Sequence, residues 1–380
     1  MNLDKSVLLL CKGFPPTIGG VETYSEEVAR AYLGDGYAVT VLTQTSSPAG
    51  WSERDYPEGR LRHFNTGPGS QLQVFGRMLL AFRRAVREAN PSWVHATTWK
   101  PALVHMAARS RLPVAVSVHG REVMNTPRPL RPAMRRVLRR SAGVVAVSTS
   151  TMAQAEKALG VPGPVGQWRV APNGLTFDEL ARTSADHSRA HQEPVRLLSL
   201  ARHIERKNIH GCLAALADIE RHGSLDFEYR IAGSGPMTDE LRQLVIEERL
   251  EHRVTFLGRV PDAEVPELYR WADVFLHPHT HVGEGNDFEG FGLVIADAMS
   301  FACVVVAGDV GGPTDFVRHG TSGLLVDGLD HRSLVDAIVA AAENSKSGNA
   351  MGRRARTHVL DTLSWHKHVG VVADAIGAAA

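Results

Sequence analysis

The segment Glu289-Gly-Phe-Gly-Leu-Val-Ile-Ala-Asp297 combines two acidic side chains with a glycine-rich loop at the start of a predicted helix. The main-chain N–H groups of such a loop suit an anionic phosphate or sugar hydroxyls. The Glu289 carboxylate can accept hydrogen bonds from vicinal hydroxyls and can stabilise positive charge that develops at the anomeric carbon of a sugar. A helix cap or a surface ion pair would explain one carboxylate, but it explains poorly two acids, a glycine loop and a following buried strand.

Two fixed positive charges, Arg202 and Lys207, follow a predicted strand in the stretch Ser199-Leu-Ala-Arg-His-Ile-Glu-Arg-Lys207. A guanidinium binds phosphate by a forked contact and an ammonium binds it as a point charge, so the two can converge on one pyrophosphate. The same charges would stabilise a departing nucleoside diphosphate without a metal ion. The stretch alone favours the alternative, a solvated basic loop in which Arg206 and Lys207 both face water.

Two features of the first half could also contact a ligand. Gly19 and Gly20 lie between the first predicted strand and the first predicted helix, where paired glycines let N–H groups approach a phosphate. A turn that needs glycine for its backbone conformation explains them equally well. His119 follows a strongly apolar strand, so its imidazole is either a contact for a substrate hydroxyl or a structural histidine.

Two further turns follow predicted strands, at Gly233 and at Arg259-Val260. The first would let the backbone pass close to a ligand, although taken alone it is only a turn. Main-chain groups of the second would read the edge of a base, and a plain loop fits that position equally well. The three cysteines are far apart and form no C-x-x-C pair, which indicates neither a disulfide framework nor a zinc site. Since Arg202 and Lys207 could stabilise a departing diphosphate without a metal ion, we predict neither a metal nor a cofactor.

Short apolar runs alternate with amphipathic helical stretches, a pattern typical of parallel βαβ units in doubly wound sheets. The predicted strands are Val7–Leu10, Ala38–Leu42, Trp93–Ala96, Val114–Val118, Val144–Val147, Arg196–Leu200, Phe227–Ala232, Val254–Leu257, Val274–Leu276, Val304–Ala307 and Gly323–Val326. A polar stretch over 183–193 interrupts the pattern as a linker would, which predicts domains at 1–182 and 194–364 facing a cleft. A final helix over 365–380 is expected to pack back on the first domain. The polar residues named above all follow strands, where α/β sheets bind their ligands.

The composition of the 380-residue chain limits which partners and which cellular location can be expected. Lys and Arg total 42 against 41 for Asp and Glu, so no general attraction to nucleic acid is expected. The first apolar run is too short for a signal peptide, and no stretch approaches a membrane span, which predicts a cytoplasmic protein. Two basic amphipathic stretches, 77–87 and 128–140, are either solvated helix faces or a peripheral contact with anionic lipid.

Taken together and in this order, Gly19-Gly20, His119-Gly120, Arg202, Lys207, the turn at Gly233 and the run from Glu289 to Asp297 resemble the retaining family 4 glycosyltransferases of GT-B fold. The resemblance extends from about residue 19 to residue 323. It implies two Rossmann-like domains, a nucleotide-sugar donor and no metal. It does not identify the acceptor.

The resemblance also implies roles for individual residues. Arg202 and Lys207 would hold the donor diphosphate, Glu289 the donor sugar, and His119 a distal hydroxyl of that sugar. The other expected donor contacts are Gly19, Gly20, Gly233, Arg259, Val260, Gly290, Phe291, Gly292, Leu293 and Asp297. Asp297 is expected at the ribose hydroxyls, yet the family has glutamate there, and one methylene less shortens its reach.

The sequence therefore predicts transfer of a hexosyl unit from a UDP- or GDP-sugar to an acceptor hydroxyl with retention at the anomeric carbon. The acceptor is either a soluble glycan or natural product or a lipid carrier, and a mannosyltransferase acting on a phosphatidylinositol-type lipid is the alternative within the family. A non-catalytic nucleotide-binding protein is a second alternative. A dinucleotide oxidoreductase is disfavoured because no G-x-G-x-x-G follows the first strand.

Overall fold

The computed structural model describes residues 5–17, 19–159, 168–184, 194–282 and 287–377. The chain divides into two compact units, one formed by Met1–Gly174 with Ser364–Ala380 and the other by Leu175–Leu363. The strands are β1 (Ser6–Leu10), β2 (Ala38–Thr43), β3 (Gly50–Tyr56), β4 (Gly59–Asn65), β5 (Trp93–Ala96), β6 (Val114–Val118), β7 (Gly143–Ala146), β8 (Trp168–Val170), β9 (Val195–Leu200), β10 (Phe227–Ala232), β11 (Val254–Gly258), β12 (Val274–His277), β13 (Val304–Gly308) and β14 (Leu324–Val326). The α-helices are α1 (Gly20–Gly34), α2 (Gln71–Ala89), α3 (Ala102–Ala107), α4 (Arg121–Met124), α5 (Arg131–Arg140), α6 (Thr149–Leu159), α7 (Asp178–Thr183), α8 (Ile209–His222), α9 (Thr238–Glu247), α10 (Val265–Trp271), α11 (Leu293–Ser300), α12 (His331–Lys346), α13 (Ala350–Thr362) and α14 (Trp365–Gly377).

The first unit is built on an eight-stranded sheet in the order β3-β4-β2-β1-β5-β6-β7-β8. All neighbouring strands are parallel except β3 and β4, which form an antiparallel hairpin. Because β1 lies between β2 and β5, the strand order reverses beside β1. In α/β sheets the carboxyl ends of the strands at such a reversal form a ligand-binding crevice.

The second unit contains a six-stranded, fully parallel sheet in the order β11-β10-β9-β12-β13-β14. Its order reverses between β9 and β12, so the loops after these two strands meet at the corresponding crevice. The predicted fold class, two Rossmann-like α/β halves with parallel sheets, is confirmed. All eleven predicted strands are present, and the hairpin β3–β4 and the short edge strand β8 were not predicted.

The division between the units begins at Leu175, before the sequence-based limit at residue 182. Helix α7 belongs to the second unit because Arg356 donates hydrogen bonds to the carbonyls of Ala181 and Ser184 at 2.8 and 2.9 Å. Arg182 likewise donates to the carbonyl of Leu360 at 2.8 Å. Of the predicted linker, 185–193 lies outside the described residues.

Helix α14 packs against α1, β6, β7 and β8 of the first unit. It lies so close to the end of the first segment that a Cβ on Gly174 would overlap the backbone nitrogen of Trp365. The helix is therefore part of the first unit's core although the whole second unit lies between them in sequence. In the described part of the chain, no helix combines the length and the apolar composition needed to cross a bilayer.

Candidate active site

The loops that follow β9 and β12 are fastened together in the second unit. Ser199 Oγ at the end of β9 donates to the carbonyl of Leu276 in β12 at 2.6 Å. The side-chain amide of Asn208 donates to the carbonyl of Pro278 at 3.0 Å, and the Thr280 N–H donates to the carbonyl of Arg206 at 2.9 Å. The 3₁₀ turn Glu205–Lys207 is thereby held against the segment after β12.

Glu289 is the centre of an ion cluster at this point. Its Oε2 accepts from Lys207 Nζ and from Arg206 Nη1, the latter at 2.7 Å. His277 Nε2, at the end of β12, lies 3.2 Å from the same oxygen and 3.1 Å from Lys207 Nζ. Arg206 Nε also pairs with Asp287 Oδ1 at 3.1 Å. The side chains of Arg206, Lys207 and Glu289 are only 11%, 12% and 13% exposed, so solvent screens these charges weakly.

The cluster sets the charge of each of its members. Burial alone would raise the pKa of Glu289, but Lys207 and Arg206 hold that pKa well below its ordinary value. Burial lowers the pKa of Lys207, and the carboxylate of Glu289 opposes that change. Burial, and then the charge of Lys207, lower the pKa of His277 to about 3. At neutral pH the cluster therefore contains an ionised carboxylate and a neutral imidazole.

Glycines allow the loop that contains Glu289 to pack closely against the segment at Gly312. The Gly312 N–H donates to the carbonyl of Glu289 at 2.8 Å, and a Cβ on Gly312 would overlap the carbonyl of Gly290. Gly292 has a φ of 90°, a left-handed conformation that leads directly into α11 at Leu293. The Phe291 ring packs on Phe316 with centroids 5.0 Å apart, so its side chain serves the core and only its main chain is left for a ligand.

The other predicted donor contacts of the second unit occupy neighbouring loops. Arg202 is exposed in the loop after β9 and lies outside the ion cluster, as do exposed Arg259 and half-buried Val260 after β11. Gly233 has a φ of 117°, and a Cβ there would overlap the carbonyl of Ala201. Gly233 is thus required by the packing of two loops, and its contact with the donor stays a prediction.

Asp297 is turned inward. It is 3% exposed, and its Oδ1 accepts a hydrogen bond from the Thr176 N–H at 2.8 Å. Burial raises its pKa to about 7, although the hydrogen bonds from Thr176 and Phe177 act in the opposite direction. The ribose contact stays a prediction, and the carboxyl is engaged by the first residues of the second unit.

The glycine pair of the first unit lies at the start of α1. Gly19 has an extended backbone, and its carbonyl accepts the first helical hydrogen bond, from the Thr23 N–H at 2.9 Å. Gly20 is exposed, its φ is not positive, and no described atom lies within 4 Å of the place where its Cβ would be. Among the described residues, neither backbone conformation nor packing requires a glycine at position 20, and its contact with a donor phosphate stays a prediction.

His119 is half-buried just after β6, near the strand reversal of the first sheet. Its Nε2 lies 2.8 Å from the carbonyl of Thr97. A carbonyl only accepts, so Nε2 carries the proton and Nδ1 is the free acceptor of the neutral ring. The His119 N–H donates to Glu122 Oε1 at 2.7 Å, which fixes the backbone at the same place.

Of the predicted site residues, the structure brings Lys207 and Glu289 into direct contact. Sequence reasoning missed Arg206 and His277. The sequence reading that places both Arg206 and Lys207 in water is wrong, because both pair with a nearly buried carboxylate. The position of His277 at the carboxyl end of a strand was the signal available for it. Within the described ranges, no group of three or more His, Cys, Asp or Glu side chains is placed to hold a metal ion.

Solved structures with the same architecture establish the fold. Sucrose-phosphate synthase from Thermosynechococcus elongatus superposes with a TM-score of 0.77 at 20% identity, covering 99% of this chain and 100% of that one. HepE from Anabaena, solved in complex with UDP and glucose, gives a TM-score of 0.71 at 19% identity, covering 98% and 99%. At these identities the similarity concerns the fold, which is GT-B.

The sequence comparisons give the family. One model, Glycosyltransferase Family 4, matches residues 18–179, and a second, Glycosyl transferases group 1, matches residues 182–358. A GDP-mannose-dependent alpha-(1-6)-phosphatidylinositol monomannoside mannosyltransferase of Mycobacterium tuberculosis is 29% identical over 384 residues, covering 97% of both chains. The enzyme of the same name from Mycolicibacterium smegmatis is 28% identical over 375 residues, covering 94% of this chain and 95% of its own. The chain belongs to the family 4 glycosyltransferases and is a nucleotide-sugar-dependent glycosyltransferase.

Proposed function

We propose that the enzyme transfers a mannosyl unit from GDP-mannose to a hydroxyl of a phosphatidylinositol-type lipid, with retention at the anomeric carbon and without a metal cofactor. The ion pair of Lys207 with Glu289 at the strand reversal carries the proposal, because it puts a phosphate-binding cation beside a sugar-binding carboxylate. The choice of donor and acceptor is supported by the names of the full-length relatives.

In the proposed reaction the bond from the anomeric carbon to the donor phosphate breaks, and a bond from the acceptor oxygen forms on the same face. The acceptor hydroxyl gives its proton to an oxygen of the departing diphosphate. Lys207 and Arg202 stabilise the negative charge of that diphosphate. Glu289 is held ionised by its neighbours, so it accepts hydrogen bonds from sugar hydroxyls and cannot serve as the acid.

A panel of GDP-, UDP- and ADP-sugars tests the donor assignment. A true donor at about 100 times its Kd should add about 2.7 kcal/mol of stability in thermal unfolding. We expect GDP-mannose to stabilise most and to be consumed in the presence of phosphatidylinositol mannoside, with an α-linked product by the one-bond carbon–proton coupling at the anomeric carbon and unchanged turnover in EDTA. Transfer from UDP-glucose alone, a β-linked product or loss of activity in EDTA would each refute the corresponding part of the proposal.

We also propose that helix α5 holds the enzyme at the cytoplasmic face of an anionic membrane. Its exposed arginines have no carboxylate within ion-pair distance in the described part of the chain; they are Arg135, Arg136, Arg139 and Arg140, with Arg128 just before the helix. Leu130 beside them is 42% exposed. Arginines near an anionic surface contribute about 1 kcal/mol each. On α2, by contrast, Arg84 is paired with Glu88 at 2.7 Å, which leaves less free charge there.

Sedimentation with vesicles tests the membrane contact. Wild-type protein should sediment with phosphatidylinositol-containing vesicles in low salt and be released by salt. The double variant Arg135→Glu with Arg139→Glu should lose this binding, whereas Arg84→Glu on α2 should retain most of it. Equal losses in both variants, or binding to neutral vesicles alone, would contradict the assignment to α5.

A further inference from the structure

A series of buried hydrogen bonds crosses the first unit behind His119, and we call its five side chains the buried relay. Tyr24 Oη lies 2.7 Å from both Ser117 Oγ and His368 Nε2. His95 Nε2 lies 2.7 Å from the same serine oxygen, and Tyr32 Oη lies 3.2 Å from His95 Nδ1. All five side chains are fully buried. The relay connects α1, β5 and β6 to the C-terminal helix α14.

The direction of the bonds next to Tyr24 follows from chemistry. His368 Nδ1 lies 3.0 Å from the carbonyl of Ala171 and 3.1 Å from that of Pro172, and a carbonyl can only accept. The proton of neutral His368 is therefore on Nδ1, and its Nε2 accepts from the Tyr24 hydroxyl. The oxygen of Tyr24 then accepts from the hydroxyl of Ser117.

The donors and acceptors of the remaining hydrogen bonds in the relay are assigned in the same way. Because the hydrogen of Ser117 is already donated, its oxygen accepts from His95 Nε2–H, and His95 Nδ1 accepts from the hydroxyl of Tyr32. Burial lowers the pKa of His95 well below its usual value and lowers that of His368 to about 4. Both imidazoles are thus neutral at physiological pH, and the donor and the acceptor of every hydrogen bond in the relay are defined.

The relay reaches His119 through the ring of Tyr24. The two rings meet edge to face, with centroids 4.5 Å apart and an angle of 81° between their planes. His119 is held on another side by the Thr97 carbonyl, which fixes the proton on Nε2. The hydroxyl of Tyr24 is bonded on both sides, so its ring cannot rotate out of this contact without breaking two buried hydrogen bonds.

We propose that Tyr24 is a positioning residue for sugar transfer: its ring keeps the His119 ring against the Thr97 carbonyl, which fixes the Nε2–H tautomer, so that Nδ1 accepts a hydrogen bond from a hydroxyl of the donor sugar. The inference rests on the proposed function in one respect, the donor sugar as the ligand of His119. His368 and Ser117 act through Tyr24. Tyr32, at the far end of the relay, has ring contacts with Tyr37, Trp93 and His95 and serves as a matched control.

The tautomer of His119 is measured directly on ¹⁵N-histidine-labelled protein by long-range ¹H–¹⁵N correlation, with His119→Asn to assign the signal. Wild type and Tyr32→Phe should both show the Nε2–H form. In Tyr24→Leu the ring contact is gone, and the two ring nitrogens should move towards averaged shifts. Tyr24→Phe keeps the ring and serves as the second variant if Tyr24→Leu folds poorly; it should shift the signal less. Unchanged His119 signals in both Tyr24 variants would overturn the proposal.

Activity separates positioning from general loss of structure. Turnover is normalised to the number of GDP-binding sites found by calorimetry, so that unfolded protein does not count. Tyr24→Leu should then lose roughly tenfold in kcat, the scale of an aromatic contact, while Tyr32→Phe stays within about twofold of wild type. Equal losses in both variants would mean a merely structural role. If the wild-type enzyme transfers no sugar, the proposed function fails, and the tautomer of His119 still tests the inference.

Discussion

Replacing Glu289 by glutamine keeps the shape of the side chain but removes the negative charge that Lys207 and Arg206 share. In the ligand-free enzyme those two cations then face each other almost without solvent. The same substitution frees Lys207 for the phosphate of a nucleotide. We therefore expect Glu289→Gln to be less stable than wild type when empty, yet to bind GDP more tightly while losing sugar transfer.

The size of both effects follows from the geometry. Removing one partner of a buried ion pair costs about 3–5 kcal/mol, and the 13% exposure of Glu289 favours the lower value. A loss of about 3 kcal/mol lowers the Tm of a unit of this size by about 6–12 °C. In the variant no carboxylate at position 289 competes for Lys207, so GDP gains one charge-assisted hydrogen bond, worth about 1.5 kcal/mol or more. This gain lowers the Kd of the enzyme for GDP about tenfold.

Thermal unfolding and calorimetric titration with GDP measure the two quantities, and transfer from GDP-mannose measures activity. Asp287→Asn is the matched control, because Asp287 pairs with Arg206 Nε at 3.1 Å and is more exposed, at 24%. It should lose less stability and leave the GDP affinity nearly unchanged. An unaltered Tm in Glu289→Gln, or a GDP affinity that weakens, would refute the argument that Glu289 and phosphate compete for Lys207.

Three further outcomes are expected. Arg202→Ala should weaken GDP binding about tenfold without lowering Tm, because Arg202 is exposed and lies outside the ion cluster; an unchanged Kd would remove it from the diphosphate site. The unfolded chain protonates its imidazoles below about pH 6.5. Folded His277 and His368 are protonated only below about pH 3 and about pH 4. The free energy of unfolding should therefore fall as the pH drops from 6.5 towards 4, by about 1.4 kcal/mol per pH unit for each imidazole. Urea unfolding of His368→Gln at pH 5 and 7 should show a shallower dependence, and an equal slope would contradict this. Folded Asp297 keeps its proton to about pH 7 and the unfolded carboxyl only to about 3.8, so wild type loses stability at this group as the pH rises through that window. Asp297→Asn should therefore gain in Tm relative to wild type between pH 5 and 8, and no relative gain would show that the carboxyl is ionised in the folded state.

Most of the sheet could be predicted because parallel strands covered on both faces appear as continuous apolar runs, as in Val304–Gly308. The β3–β4 hairpin was missed for the opposite reason. Strand β3 is mostly exposed and polar, and it lies at the sheet edge, so no apolar period distinguishes it from a loop. Strand β8 has only three residues, none of them fully buried, and gives no pattern at all.

The site was predictable only where residue type determines the chemistry. A lysine and a glutamate with glycines around them indicate phosphate and sugar without knowledge of their neighbours. Arg206 and His277 acquire their roles because β9 and β12 are adjacent in the sheet. The two strands are far apart in sequence, and neither segment by itself indicates that they are neighbours. The inward turn of Asp297 likewise depends on the Thr176 N–H, which is 121 positions away along the chain.

The C-terminal helix has a consequence for how the protein is made. The second unit is one continuous segment, Leu175–Leu363, whereas the first lacks α14, and with it His368, until Trp365–Gly377 has left the ribosome. Although the N-terminal part of a chain usually folds first during synthesis, here the later segment can complete its core before the earlier one. Stalled nascent chains ending at residue 363 should therefore resist protease over 195–359 and be cut within 6–146, and the reverse pattern would contradict this order. The N-terminal half would spend the longest time exposed to chaperones, although it is synthesised first.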